Sequence, residues 1–170
     1  METQLQKIQR SSTLNIRITG LGGQGVLTAS EILSKLAFKS GHDVKKAEVH
    51  GMAQRGGSLY TDVRIASDGS KVLSPMIPEG EVDYLVVFAP EWMELYLDGL
   101  DPKGIAVHAG QIDVSRLRNS KSLNVALLGA LSAHLDYPIE AWMEMLKTSF
   151  PEKLHASNTQ AFQLGRDSVS

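Results

Sequence analysis

Cysteine is absent from the 170 residues, which excludes disulfides, a thiol nucleophile and any iron–sulfur cluster held by this chain's own thiolates. Neither sign of charge dominates: 17 basic against 19 acidic residues leave a net −2, without the basic excess that nucleic-acid binders use. No uninterrupted apolar run approaches the ~20 residues needed to cross a bilayer. Met1–Arg10 alternates polar residues with isolated Leu5 and Ile8, so it lacks the apolar centre of a secretory signal, and a cytoplasmic location is expected. The five histidines (His42, His50, His108, His134, His155) never fall at metal-ligand spacing. Ser30 lies inside a helical pattern with no partnered base, so a hydrolase triad is unsupported. What remains, 42% hydrophobic and 21% charged, is the composition of a folded domain rather than a disordered tail, and the length suits one core.

Leu14–Thr19 alternates apolar and polar residues as a strand does and runs into Gly20-Leu21-Gly22-Gly23-Gln24-Gly25. Val26, Leu27, Ala29, Ile32, Leu33, Leu36 and Ala37 then recur at helical spacing, ending near Gly41. Val44–Val49 reads as a second strand, which makes a right-handed βαβ crossover with the two strands parallel. Only seven residues, Gly51–Gly57, separate it from the strand-like Ser58–Ile65, so that strand should return antiparallel. Asp68-Gly69 predicts a turn into Lys71–Leu73 and hence a further hairpin. Tyr84–Ala89 reads as a buried strand, Pro90 opens a helix through Leu97, and Gly104–Ala109 is another strand. Helices are predicted from Asn124, over Ile139–Phe150 and from Asn158 to Gly165, while the polar stretch Gln111–Ser122 takes no element. Trp92 and Trp142, spaced with Met93 and Met145, read as core or interface; Glu79, Glu81 and Asp83 read as a solvated turn and strand boundary. The expected fold is a single three-layer α/β domain, a Rossmann-like mixed sheet with an inserted β-hairpin region.

Two glycine-rich turns stand out. Gly20, Gly22 and Gly25 match G-x-G-x-x-G between a strand and a helix, where a turn without side chains and a helix N-terminus together offer backbone donors to an anion. Close packing of strand on helix would also require such glycines. No Gly-Lys-Ser/Thr follows, so this is not a Walker loop. Glu48, at the end of the second strand, stands about where a dinucleotide fold places its ribose-binding acid, which keeps an autonomous NAD(P)- or flavin-binding protein open. The second turn, Gly51-Met52-Ala53-Gln54-Arg55-Gly56-Gly57, should lie at the same sheet edge, because parallel strands carry their C-terminal ends on one rim and ligands gather there. Arg55 could then offer a guanidinium to phosphate or carboxylate, or Gly56-Gly57 could simply permit a tight reversal. The candidate binding residues are Gly20, Gly22, Gly23, Gln24, Gly25, Arg55, Gly56 and Gly57; no self-sufficient catalytic set is apparent.

The run Gly20–Val26 followed by Glu48-Val49-His50-Gly51-Met52-Ala53-Gln54-Arg55-Gly56-Gly57-Ser58 resembles the gamma-type subunit of 2-oxoacid:ferredoxin oxidoreductases, most of all the beta subunit of the indolepyruvate type. Ser74–Asp83 is similar to the segment before that family's next central strand, and Asn158–Gly165 is a weaker echo. The resemblance implies a gamma-type domain over residues 13–168; the polar leader over residues 1–12 matches no motif of that family. It also implies oxidative decarboxylation of a 2-oxo acid, an aryl pyruvate in the indolepyruvate type, to an acyl-CoA. Thiamine diphosphate and iron–sulfur clusters would reside on a large partner subunit, and ferredoxin would take the electrons. On that reading this chain binds no cofactor alone, shapes the place where a cofactor or coenzyme A enters, and hides an apolar surface, guessed around Trp92, Met93 and Tyr96, against its partner. A CoA- or anion-binding module, or a homo-oligomer in isolation, are the other readings.

Overall fold

The computed structural model describes residues 13–50, 58–66 and 69–170. β1 (Thr13–Leu21) buries Ile16 and Ile18 on one side and turns Asn15, Arg17 and Thr19 to the other. α1 (Val26–Lys39) packs Val26, Ala29, Ile32, Leu33, Leu36 and Ala37 onto the apolar side. It stops at Ser40 because Gly41 takes φ +92°, which lets the His42 N–H reach the Ala37 carbonyl and the Gly41 N–H that of Phe38, a Schellman closure. β2 (Val44–His50), β3 (Ser58–Ala66), β4 (Val82–Val87) and β5 (Leu100–His108) complete a five-stranded sheet in the order β2-β3-β1-β4-β5. β1, β4 and β5 run parallel, and β3 runs antiparallel to both its neighbours.

One expectation changes here, and one gains a detail. β1 and β2 do run in the same direction, but they are not adjacent: β3 lies between them and pairs with each along its length. β2 is therefore an edge strand, as its Lys45, Lys46 and Glu48 suit. The inserted hairpin is β2–β3. Lys71–Leu73 forms no strand, because β1 and β2 already use both edges of β3, leaving a returning strand nothing to pair with. Instead Val72 is buried and its N–H donates to Asp43 Oδ2 at 2.8 Å. Asp68 lies outside the described residues, and Gly69 follows at φ +74°.

One face of the sheet carries every long helix. α3 (Leu123–Ser132), buried from Asn124 onward, leans on β4 and β5; α4 (Ile139–Ser149) and α5 (His155–Asp167) pack behind and beside it. α3 and α5 meet backbone to backbone: a Cβ on Gly129 would overlap the Phe162 carbonyl, and one on Gly165 the Ala126 carbonyl. Trp142 is fully buried beside Tyr137 and Phe162, so it belongs to the core. The opposite face is covered by residues 69–81 and by the turn Pro90–Trp92 with the short α2 (Glu94–Leu97), closing on Ile77, Val82, Leu85 and Val87. Met93 and Tyr96 pack inward there, while Leu95 and Leu97 are the exposed apolar residues of α2. The polar stretch 109–122 is three short helical turns pinned by buried Ile112 and by Asp113 and Asn119, which accept the Ser115 and Lys121 N–H groups. Among the described residues no helix is long and apolar enough to cross a membrane.

Candidate functional site

Strand register brings the strand ends that flank the two glycine turns to one rim. Leu21 of β1 pairs with Ser58 of β3, His50 of β2 pairs with Leu59, Thr19 pairs with Val87, and Val87 with His108. The glycine turn after Leu21 and the two residues that flank positions 51–57 therefore share an edge with the ends of β4 and β5. Arg55, Gly56 and Gly57 themselves lie outside the described residues; their flanks, His50 and Ser58, stand where the sequence reading places them.

The glycines of the first turn divide into two kinds. Gly20 is a close-packing glycine: a Cβ there would meet Val26 Cγ2 at 2.7 Å and Phe88 Cβ at 2.9 Å. Gly25, the N-cap of α1, has φ +91° and would press a Cβ to 2.6 Å from Asn124 Nδ2. Gly22 and Gly23 are exposed, and Gly23 (φ +82°) has open space where its Cβ would be. Gln24 folds back on the turn, its Oε1 accepting the Leu21 N–H at 2.7 Å while its own N–H bonds the Leu21 carbonyl. That side chain holds the shape of the turn. The backbone N–H groups of Gly22, Gly23, Gly25, Val26, Leu27 and Thr28 have no backbone acceptor among the described residues. α1 has no acidic residue in its first turn and no side-chain cap. The turn is thus a shallow, side-chain-free cradle of unspent donors with the positive end of a 14-residue helix behind it.

Asn124, which the sequence reading passed over, is the neighbour of this turn. It is buried at the start of α3, with Ser122 Oγ and Asn158 Oδ1 bonded at 3.0 Å beside that helix start. The available signal was a polar residue opening an otherwise unbroken apolar run, Val125–Leu131.

A second polar cluster lies on the loop-covered face. Arg17 Nε and Nη2 donate to Asp62 Oδ1 and Oδ2 at 2.7 and 3.0 Å, and Asp62 Oδ2 also accepts the Ile77 N–H at 3.0 Å. The guanidinium lies 4.4 Å from the centre of the Tyr60 ring, which meets Tyr96 edge-on. Burial alone would lower the Arg17 pKa, but the bond and charge of Asp62 outweigh it, so the net shift is upward and the group stays charged. Arg64 donates to Asn15 Oδ1 and to the Ser74 and Met76 carbonyls, and Asn15 reaches the Glu81 carbonyl and Asp83. These bonds staple Ser74–Asp83 to the sheet. Asp83 is the strand-boundary residue expected of it, and Glu79 and Glu81 are exposed.

Glu48 does not meet the glycine turn as a dinucleotide site requires. With β3 between β1 and β2 the two are separated by two strand spacings, roughly 9–10 Å, and Glu48 instead faces Lys46 at 3.8 Å on the sheet edge. Ser30 Oγ donates to the Leu27 carbonyl within its helix, and His134 packs on the Tyr84 ring. Among the described residues no group of three or more His, Asp or Glu could hold a metal ion.

Comparison with known proteins agrees with this geometry. Residues 15–115 match the family described as pyruvate ferredoxin/flavodoxin oxidoreductase. Indolepyruvate oxidoreductase subunit IorB of Pyrococcus horikoshii is 32% identical, over 89% of this chain and 93% of that protein. Pyruvate oxidoreductase subunit PORC of Thermotoga maritima shares the fold with a TM-score of 0.73 at 22% identity, over 91% of this chain and 96% of that one. A 2-oxoglutarate:ferredoxin oxidoreductase from Magnetococcus marinus, solved with 2-oxoglutarate, coenzyme A and succinyl-CoA bound, gives a TM-score of 0.78 at 21% identity. It covers 92% of this chain but 31% of that longer one. Fold, glycine turns and sequence likeness converge: the chain belongs to the pyruvate ferredoxin/flavodoxin oxidoreductase family, among the small, gamma-type subunits of 2-oxoacid:ferredoxin oxidoreductases.

Proposed function

We propose that this small subunit serves a cytoplasmic complex that oxidatively decarboxylates aryl pyruvates of the indolepyruvate kind, and that its domain, residues 13–168, presents the glycine rim to a phosphate-bearing ligand of that complex. The reaction converts a 2-oxo acid and coenzyme A to an acyl-CoA and carbon dioxide, passing two electrons to ferredoxin. When bound on the large partner subunit, thiamine diphosphate supplies the electron sink for decarboxylation and iron–sulfur clusters the path to ferredoxin. Thiolate ligands for such clusters have to come from the partner, since this chain has no cysteine. The indolepyruvate assignment rests on the likeness to IorB and on the wording of Glu48–Ser58.

The observation that carries the ligand reading is the set of N–H groups of Gly22, Gly23 and Gly25–Thr28, which have no acceptor among the described residues, with open space over Gly23. A phosphate fits such a cradle: it needs donors at short range, positive potential and no Cβ in the way. Arg55, Gly56 and Gly57 lie in sequence between His50 and Ser58, which are both at this edge, and this reading assigns Arg55 the charged contact and the two glycines the clearance beside it. Gln24 acts through the turn that it holds closed.

Reconstitution tests the proposal. Isolated, this chain turns over nothing; added to its large subunit it restores indolepyruvate-dependent ferredoxin reduction. Full activity of the large subunit without it contradicts the proposal.

A further inference from the structure

Two helices begin against one another at the rim. α1 starts at Gly25 and α3 at Leu123, and Asn124, the second residue of α3, lies against the Cα of Gly25, its Nδ2 2.6 Å from where a Cβ would stand. Gly25, the N-cap of α1, has no side chain to cap with, Ser122, the N-cap of α3, bonds no N–H of its own helix, and neither first turn holds an acidic residue. Ser122 spends its hydroxyl on Asn158 Oδ1 instead. The positive ends of a 14- and a 10-residue helix therefore converge with no carboxylate in either first turn to offset them.

Asn124 adds an independent sign of a missing partner. The residue is 6% exposed. Its Oδ1 accepts the Val125 N–H at 2.9 Å, whereas its Nδ2, on the side of Gly25, has no hydrogen-bond partner among the described residues. The side chain is held by burial while its Nδ2 still reaches the surface, so it is a free donor fixed in direction, as a ligand contact must be; α3, locked to α5 at Gly129 and Gly165, has little freedom to turn it elsewhere. We infer that Asn124 is a ligand-binding residue, its Nδ2 donating to an oxygen of a phosphate or diphosphate group seated where the N-termini of α1 and α3 meet. This deepens the proposed function and rests on its reading of the rim as a phosphate site. The chemistry is that of a phosphate ester anion, whether from coenzyme A or from thiamine diphosphate.

Asn124→Asp separates a ligand role from a structural one. Asp keeps the shape and the oxygen that accepts the Val125 N–H, and it adds a negative charge to the first turn of α3, which favours the helix. A structural role thus predicts an unchanged or higher melting temperature and unchanged kinetics. In the complex assembled with the large subunit, a ligand role predicts a KM for either coenzyme A or thiamine diphosphate raised ten-fold or more, with the KM for the 2-oxo acid unchanged. The compound affected identifies the source of the phosphate. Unchanged KM values for both compounds overturn the inference. Gly22→Val, at the exposed part of the turn, is run alongside. If it raises one of these KM values and Asn124→Asp raises neither, the rim site stands and Asn124 is no part of it. If neither variant moves either KM, the rim reading fails as well. Should Asn124→Asp not assemble, Asn124→Ser, too short to reach the ligand, is judged by the same two outcomes.

Discussion

The glycine turn and the Arg17–Asp62 staple grow from the same two strands, β1 and β3, yet they treat polar groups in opposite ways. In the staple, Arg17, Asp62, Arg64 and Asn15 all find protein partners, and the bonds fasten Ser74–Asp83 over the sheet. At the rim, six nearly consecutive N–H groups and the Nδ2 of Asn124 find none among the described residues. Polar groups that close on one another hold a fold; polar groups held open by a rigid frame await a ligand. Both regions carry sequence that resembles the family, so likeness alone does not tell the two uses apart.

The difference can be broken by mutation. Asp62 is fully buried and Arg17 nearly so, so Asp62→Ala leaves a buried guanidinium unpaired and should cost about 3–5 kcal/mol. Chemical denaturation measures this, and in whatever complex still assembles the KM for coenzyme A and thiamine diphosphate should not change. Arg55→Ala is the mirror image: affinity for the phosphate-bearing ligand should fall by about 1.5–3 kcal/mol, as for a lost charged hydrogen bond, with the denaturation midpoint of the isolated chain unmoved. Unchanged kinetics would show Arg55 to be a solvated loop charge. Gly25→Ala straddles the two regions, since it forces an Ala to φ +91° and displaces Asn124. It should cost about 1–3 kcal/mol of stability and impair ligand binding too. The smallest effect belongs to Glu31→Gln. The hydrogen bond from Lys46 holds the Glu31 carboxyl below its ordinary value against the opposing effect of burial, helped by the charge of Lys46 and by Lys35. A depressed pKa contributes stability that is present above the ordinary carboxylate range and lost as pH falls through the folded-state value. Glu31 is half exposed, so the contribution is below about 1 kcal/mol. Wild type and Glu31→Gln should therefore differ slightly at neutral pH and converge in acid or high salt.

Much of the fold was legible because burial imposes its own periods. Ile16 and Ile18 alternate as a half-buried strand must, and Val26 to Ala37 repeat as one helix face, so both elements were found. Neighbours were harder. Nothing in Val44–His50 states that β3 will slip between it and β1, since hydrogen-bond pairing is a property of the assembled sheet; only Lys45, Lys46 and Glu48 hint at an edge. The Asp68-Gly69 signal suggested a hairpin for the same reason, because a turn motif cannot see that both edges of β3 are taken. The shared rim followed from strand direction and is where register puts it. Asn124 and the Arg17–Asp62 pair were missed because each acts through a residue distant in sequence. Even so, polar residues at every second position of both β1 (Asn15, Arg17, Thr19) and β3 (Tyr60, Asp62, Arg64) marked a shared polar face.

Hydrogen exchange of the assembled complex, with and without coenzyme A or thiamine diphosphate, reads the amides of Gly22–Thr28 one segment at a time. Occupation of the cradle by a phosphate predicts that these amides slow when one of the two compounds is added, while those of Ser74–Asp83 keep their rate. Amides from 22 to 28 that exchange equally fast with and without both compounds contradict the ligand-facing role of the rim.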